Sequence, residues 1–367
     1  MLEAPILHHG VMEGQGSYNR NSRIQATGMQ LALPLLEKAA RNVALDDGHQ
    51  PVVVADYGSS QGKNSLTPMR IAIRTLQQSI DPDRPILVFH IDQPANDFNT
   101  LFAVLGADPD RYALDESNVF PCAIGKSFYE QVLPANYVDL AWCSYAAMWL
   151  SRIPTLIPGH FIAHRCTGTE RAVFDRQAAE DWRAFLSLRA RELRTGGRLV
   201  VVLPGLNDDG VSGLEQLFDH ANKALADMVD AGEIQAEERA QMVLGVHPQR
   251  RRDLLAPFVP CGQFQGLRVE RCEVTSVPDS AWADYERDSK VDALVTKQAL
   301  FMRSAFISSL SLALTNAHEA EQCRVFADKF ENRVKQRLLN QPMPFHSVVQ
   351  TLVLAKEACA CATQNQE

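Results

Sequence analysis

The chain has 367 residues, of which 46% are hydrophobic, enough to bury the core of one large domain or two small ones. Its formal net charge of -8 argues against a nucleic-acid partner, which would need a basic face. The first residues lack the basic and apolar regions of a secretion signal, and Lys297 and Arg303 interrupt the apolar stretch 294–314. We therefore expect a cytoplasmic protein without a membrane span. The eight cysteines form no C-x-x-C pair or zinc spacing, so we expect reduced thiols and no metal.

A polar stretch, 17–25, precedes the first helical pattern. A helix cap explains one of its polar side chains but not five. A loop that folds over a polar ligand explains them all, and a solvated leader is the alternative.

Residues 52–64 predict the ligand-binding corner of an open α/β sheet. Val52 to Ala55 is a short apolar run that ends at Asp56, and two glycines and a helical pattern follow. In such sheets ligands bind beyond the carboxyl ends of the strands. The spacing of Gly58 and Gly62 fits neither a P-loop nor a dinucleotide fingerprint. Because Asp56 would repel a phosphate, the pattern favours a cationic ligand such as S-adenosylmethionine over a purely structural turn.

The next apolar run, 86–91, also ends at an acid, Asp92. A carboxylate at that strand end suits the two ribose hydroxyls of a nucleoside. A helix cap or a surface turn is the alternative reading of Asp92.

Further apolar runs alternate with helical patterns up to residue 203, which predicts βαβ units and a parallel sheet. We expect strands at 118–124, 138–143 and 199–203, and a long helix over 171–194 that ends in a glycine cap at Gly196 and Gly197. Tyr145, Met148 and Trp149 lie three and four residues apart, which predicts one shared helical face. That face belongs either to the core or to a ligand pocket.

After residue 205 helices predominate. We expect helices over 212–230, 233–244, 291–317 and 323–339, and late strands over 267–274 and 348–355. The predicted fold class is therefore α/β, with a mostly parallel sheet of about seven strands and an α-helical cap. We expect a single domain, 1–367. Its α/β core comprises residues 30–205, 265–285 and 345–358, and its helical cap comprises residues 206–255 and 290–340. Residues 1–29 are expected to form an N-terminal lid.

Together, five stretches resemble the SABATH methyltransferases, the plant-type carboxyl methyltransferases related to the salicylate, jasmonate and caffeine enzymes. The stretch 56–64, with the sequence Asp56-Tyr-Gly58-Ser-Ser-Gln-Gly62-Lys-Asn64, is similar to the family's Asp-Leu-Gly-Cys-Ser-Ser-Gly-Pro-Asn. The five stretches are 17–25, 56–64, 92–99, 125–129 and 143–151. The resemblance implies a Rossmann-like methyltransferase fold, S-adenosylmethionine as cofactor and a homodimer.

The resemblance also implies roles for individual residues. Those implied at the cofactor are Tyr18, Ser22, Asp56, Gly58, Ser59, Asn64, Asp92, Gln93, Ser127 and Phe128. Gln25 and Trp149 would be the catalytic pair that holds the substrate carboxylate. Tyr145, Met148, Phe218 and Met302 would line an apolar substrate pocket. The chain departs from the family at Phe218, where a pocket tryptophan is usual, and at Trp142, where a histidine is usual. The Phe-Asn pair that helps some members bind Mg²⁺ is missing near 243–247.

The implied chemistry fits these residues. A carboxylate is already ionised at neutral pH, so its methylation by direct displacement needs no general base. The Gln25 amide and the Trp149 indole are neutral donors that orient an anion without neutralising it. The predicted function is therefore formation of the methyl ester of a small carboxylic acid. Two alternatives stay open: an N-methyltransferase of a purine-like heterocycle, and a protein that binds the cofactor without turnover.

Overall fold

The computed structural model describes residues 10, 12–13, 19, 23–46, 48–113 and 118–358, with the backbone alone at 23 and 24. Tyr18, Ser22 and most of the predicted lid lie outside the described residues. In the described part of the chain, no helix is both long enough and apolar enough to cross a membrane.

The centre of the molecule is one eight-stranded sheet with the order β3-β2-β1-β4-β5-β8-β7-β6. The strands are β1 Val52–Tyr57, β2 Ile86–Asp92, β3 Val119–Gly125, β4 Val138–Ser144, β5 Leu193–Pro204, β6 Gln263–Phe264, β7 Leu267–Pro278 and β8 His346–Lys356. Strands β1 to β5 are parallel to one another, whereas β8, β7 and β6 join antiparallel. This confirms the predicted α/β class, and the strand beyond the expected seven is the two-residue β6.

Helices connect and cover the strands. They are α1 Arg23–Gln30, α2 Leu33–Arg41, α3 Leu66–Gln77, α4 Phe98–Ala107, α5 Gly168–Glu192, α6 Glu215–Asp230, α7 Ala236–Gln241, α8 Arg251–Leu255, α9 Ser280–Asp288, α10 Val291–Ser311 and α11 Ala320–Asn340.

Both faces of the sheet are covered, which explains why β1 is apolar throughout rather than alternating. Val52 and Val54 pack in one hydrophobic cluster with residues of α2 and α3. Val53 and Ala55 pack in another with residues of α5 on the opposite face. The alternation of side chains along a strand sends neighbouring residues to these two clusters.

Helices α6, α10 and α11 form a separate layer, called here the helical layer, around a hydrophobic cluster of their own. Phe218, Phe306 and Phe330 are buried in it. Met148 and Trp149, which follow strand β4, pack against the same cluster. The helical layer is thereby joined to the ends of the sheet strands.

Two local predictions were wrong. Residues 145–151 form no helix. Tyr145 has a left-handed φ of 55°, and Trp149 forms an antiparallel bridge with Val246 instead. Nor does Gly196 cap α5, since the chain passes directly from that helix into β5 at Leu193. Gly196, with φ at 87°, lies inside β5, where a Cβ would come to 2.5 Å from that of Ala44.

Candidate active site

A cavity lies where the carboxyl ends of the parallel strands meet the helical layer. The carboxyl ends of β1 to β5, or the residues just after them, contribute Gly58, Asp92, Ser127, Tyr145 and Gly205, respectively, to its wall. Its empty volume, counted to the open mouth, is about 1390 Å³.

Asp92 dominates the electrostatics of the cavity at the end of β2. Its carboxylate accepts hydrogen bonds from the backbone N–H groups of Ser60, at 2.7 Å, and Gln93, at 2.8 Å. Burial raises the pKa of the Asp92 carboxyl to about 6, although these two hydrogen bonds act in the opposite direction. The Asp92 carboxylate is therefore held in a fixed orientation on the cavity wall and ionises close to neutral pH.

The turn after β1 brings the backbone close to the cavity. Gly58 has φ at 86°, and a Cβ there would come to 2.1 Å from that of Ala146, so only glycine fits. Ser60 also has a left-handed φ, 49°, and its carbonyl accepts from the Asn96 side-chain amide at 2.8 Å. The Ser60 hydroxyl is buried and has no hydrogen-bond partner among the described residues. Together with Asp92, this hydroxyl fits a polar nucleoside ligand.

Asp56 lies beneath this turn rather than on the cavity wall. It is 2% exposed, accepts a hydrogen bond from Ser65 Oγ, and faces His90 Nδ1 at 3.2 Å. The other ring nitrogen of His90 is 2.8 Å from the Tyr112 hydroxyl. In this structure the Asp56 carboxylate therefore ties the turn to β2 and α3.

Gln25 and Trp149 reach the cavity from different elements of the fold. Gln25 comes from α1, is 7% exposed, and has an amide oxygen without a hydrogen-bond partner among the described residues. The Trp149 ring packs against Phe306, with 6.2 Å between the ring centroids, and against Gly10. The Tyr129 hydroxyl fixes the backbone of Trp149 through a 2.7 Å hydrogen bond to its carbonyl.

The wall beyond Trp149 is mostly apolar. It is formed by Met12, Met148, Ile162, Leu214, Phe218, Val246, Phe301, Ala305 and Phe306. Among the described residues, no lysine or arginine lines the cavity. An acceptor bound in this half meets neutral groups and a hydrophobic surface.

The structure brings most of the predicted site residues together. The predicted residues that line the cavity are Gln25, Gly58, Asp92, Gln93, Ser127, Phe128, Tyr145, Met148, Trp149 and Phe218. Asp56, Ser59, Asn64 and Met302 are not on its wall. Met302 is fully buried within the helical layer, where its neighbours Phe301 and Ala305 face the cavity instead.

Sequence reasoning missed several lining residues. Asn96 lies in the stretch 92–99 that resembles the family, and Ser60 lies in the glycine turn after β1. Both residues could therefore have been predicted from the sequence. Phe306 and His164 had no such signal, because they lie in stretches with no motif. In the described part of the chain, no group of three or more His, Cys, Asp or Glu side chains is placed to hold a metal ion.

Comparison with solved structures identifies the fold. A loganic acid methyltransferase with SAH superposes with a TM-score of 0.73 at 23% sequence identity, covering 95% of this chain and 99% of that chain. The fold is thus the Rossmann-like fold of the S-adenosylmethionine-dependent methyltransferases.

Comparison of sequences gives the family. The family described as SAM dependent carboxyl methyltransferase matches residues 6–357, and the chain therefore belongs to it. This confirms the predicted family, the enzyme class and S-adenosylmethionine as cofactor. A Fusarium methyltransferase is 34% identical over 63% of this chain and 62% of its own length. Indole-3-acetate O-methyltransferase 1 of Arabidopsis thaliana is 29% identical over 69% and 72%, respectively. Salicylate carboxymethyltransferase of Clarkia breweri is 27% identical over 73% and 77%.

Proposed function

We propose that this enzyme forms the methyl ester of a small, largely apolar carboxylic acid, which Gln25 and Trp149 hold beside the cofactor. One observation carries the proposal. Both residues line the same cavity as Asp92, and the wall beyond them is apolar and without lysine or arginine among the described residues. The named acceptors of the relatives, salicylate and indole-3-acetate, are acids of this kind.

The strand ends are assigned to the cofactor. Asp92 would accept from the ribose hydroxyls, while Gly58 lets the backbone approach closely and Gln93, Ser127 and Phe128 complete this half of the wall. Tyr18 and Ser22 are proposed for the same site on the resemblance alone. When bound, S-adenosylmethionine supplies the electrophilic methyl group and a positive charge next to the acceptor.

The residues of the acceptor half orient and shield the acid. The Trp149 indole and the Gln25 amide carry N–H groups that can donate to a carboxylate while leaving it ionised. The apolar wall excludes water, which strengthens these hydrogen bonds and keeps the reacting atoms aligned. No side chain is needed to remove a proton, because the acid has already lost it.

The direct test is incubation with methyl-labelled S-adenosylmethionine and a panel of small acids, purines and phenols. Ester formation with one of the acids supports the proposal. N-methylated product would support the purine-like alternative instead. Tight cofactor binding without any product would support a binding protein without turnover.

We propose that the helical layer acts as a cap over the acceptor and that α1 belongs to a lid. The homodimer rests on the family resemblance, and the cytoplasmic location stays a prediction.

A further inference from the structure

The mostly apolar part of the cavity wall also carries a polar side chain with ring nitrogens, that of His164. It belongs to the short 3-10 helix Ala163–Arg165, which precedes α5. His164 lines the cavity, and both of its ring nitrogens are buried without a hydrogen-bond partner among the described residues. A buried imidazole without partners is costly, and buried polar groups in native proteins are normally paired.

The imidazole is held in place by its surroundings. Its ring packs edge-on against Phe218, at 5.3 Å between centroids and 78° between planes. The backbone carbonyl of His164 accepts a hydrogen bond of 3.1 Å from Arg171. A ring that packs against a neighbouring side chain and is attached to an anchored backbone is suited to recognition of a ligand.

A series of contacting aromatic rings links His164 to Trp149. Phe218 follows His164, Phe306 lies 5.6 Å from Phe218, and Trp149 lies 6.2 Å from Phe306, all between ring centroids. An acceptor held at Trp149 by its carboxylate would therefore extend along these rings with its opposite end near His164.

We infer that His164 is a specificity-determining residue, which hydrogen-bonds a neutral polar group, such as a hydroxyl or a carbonyl, at the end of the acceptor remote from its carboxylate. The inference rests on the proposed function and narrows its substrate class from apolar acids to acids with a distal polar group. Burial lowers the pKa of His164 to about 3, so the ring is neutral and has one donor and one acceptor. A hydroxyl group can use either nitrogen.

The test compares matched pairs of acids that differ by one distal hydroxyl. Suitable pairs are benzoic and para-hydroxybenzoic acid, phenylacetic and para-hydroxyphenylacetic acid, and straight-chain acids with their omega-hydroxy forms. For the best accepted pair, the wild-type enzyme should favour the hydroxylated acid by about tenfold or more in kcat/KM, since the plain acid leaves His164 unpaired. His164→Leu should abolish this preference. His164→Phe keeps an aromatic ring against Phe218 and should also abolish the preference. It replaces the leucine variant in this test if that variant does not fold.

His160→Leu is the matched control. His160 lies four residues earlier, is not on the cavity wall, and its Nδ1 accepts a hydrogen bond of 3.1 Å from the backbone N–H of Ile162. This variant should keep the preference for the hydroxylated acid. Thermal unfolding without ligand gives a second readout: His164→Leu should raise the midpoint because it removes an unpaired buried group, whereas a structural histidine would lower it.

The outcomes separate the two claims. Ester formation with a pair ratio that is the same in wild type and His164→Leu would overturn the inference and leave the proposed function intact. A lowered unfolding midpoint together with an unchanged ratio would assign His164 a structural role. The absence of ester from every acid would refute the proposed function itself.

Discussion

The hydroxyl group of Tyr145 lies against the α-carbon of Gly28, so closely that a methyl group added at position 28 would be 1.9 Å from the Tyr145 oxygen. Gly28 is buried on α1, three residues after Gln25. Tyr145 directly follows β4 and lines the cavity. This contact sets the distance between the helix that carries Gln25 and the turn that carries Trp149.

Gly28→Ala should therefore impair the acceptor site. Overpacking of this kind costs about 1–3 kcal/mol and forces Tyr145 or α1 to move. We expect a lower kcat/KM for the acid, mainly through KM, and a nearly unchanged Kd for S-adenosylmethionine. Steady-state kinetics and calorimetry measure the two quantities.

Gly106→Ala is the control for that substitution. Gly106 lies in α4, and a Cβ there meets nothing within 4 Å. Alanine is a better helix residue than glycine by about 0.5–1 kcal/mol, so this variant should be slightly more stable and fully active. Equal kinetics for the two variants would show that the Tyr145 contact does not position the acceptor site.

The sequence predicted the sheet well because strand and turn signals are local. The apolar runs at β1 and β2 each end at an acid, and both ends lie at one edge of the sheet, as parallel strands require. The helix predicted at Tyr145 was wrong because spacing alone does not reveal a left-handed φ at a strand end. The role of Gly196 was missed because Ala44, the residue it accommodates, is distant in sequence.

The sequence also did not reveal which polar side chains are buried beneath the cavity wall and which face the cavity. Asp56 and Asp92 each follow an apolar run, but Asp56 pairs with His90, two residues before Asp92. Asp56 is therefore enclosed by Ser65 and His90, whereas Asp92 faces the cavity. His164 and Phe306 reach the cavity because the 3-10 helix Ala163–Arg165 and α10 both contact Phe218 of α6. Such contacts depend on tertiary packing, which hydrophobic periodicity does not encode.

Asp92→Asn should weaken cofactor binding. It removes the negative charge on the cavity wall and replaces one acceptor oxygen by a donor. We expect a loss of roughly 1–3 kcal/mol in the free energy of binding, measured by calorimetry with S-adenosylmethionine. Asp83→Asn, in an exposed turn between α3 and β2, is the control and should bind normally. An unchanged affinity in Asp92→Asn would remove this carboxylate from the cofactor site.

Cofactor affinity should also depend on pH through Asp92. In the free protein its pKa is about 6, above the ordinary value of 3.8. Ionisation of Asp92 therefore lowers the free energy of unfolding of the free protein as pH rises from about 4 to 6. The ribose hydroxyls of a bound cofactor, which would donate to the Asp92 carboxylate, offset that loss of stability. Affinity should be nearly full above about pH 7, where the carboxyl is ionised, and fall as the pH drops through 6. The Asp92→Asn variant should show no such fall, and a wild-type affinity that is flat down to about pH 4.5 would contradict the assignment.

Trp149→Phe keeps most of the ring and removes the indole donor. A hydrogen bond to a charged group contributes about 1.5–3 kcal/mol, so kcat/KM for the acid should fall roughly 10- to 150-fold. Cofactor affinity should barely change. Trp282→Phe is the control, because that indole donates to Glu286 on α9 and does not line the cavity. An unimpaired Trp149→Phe enzyme would remove the indole from the carboxylate clamp.

The wild-type rate at saturating cofactor should be independent of pH between about 6 and 8, since the acid has no proton to lose there. A rate that rises tenfold per pH unit over this range would instead indicate a base-assisted phenol or amine acceptor.

The most direct test of carboxyl methylation is the identity of the product made with S-adenosylmethionine that carries a deuterated methyl group. We predict a product that contains the intact labelled methyl group, returns the free acid on mild alkaline hydrolysis, and releases the label as methanol, all measured by mass spectrometry. A labelled product that survives alkali would place the methyl group on nitrogen or on a phenol oxygen and contradict the account.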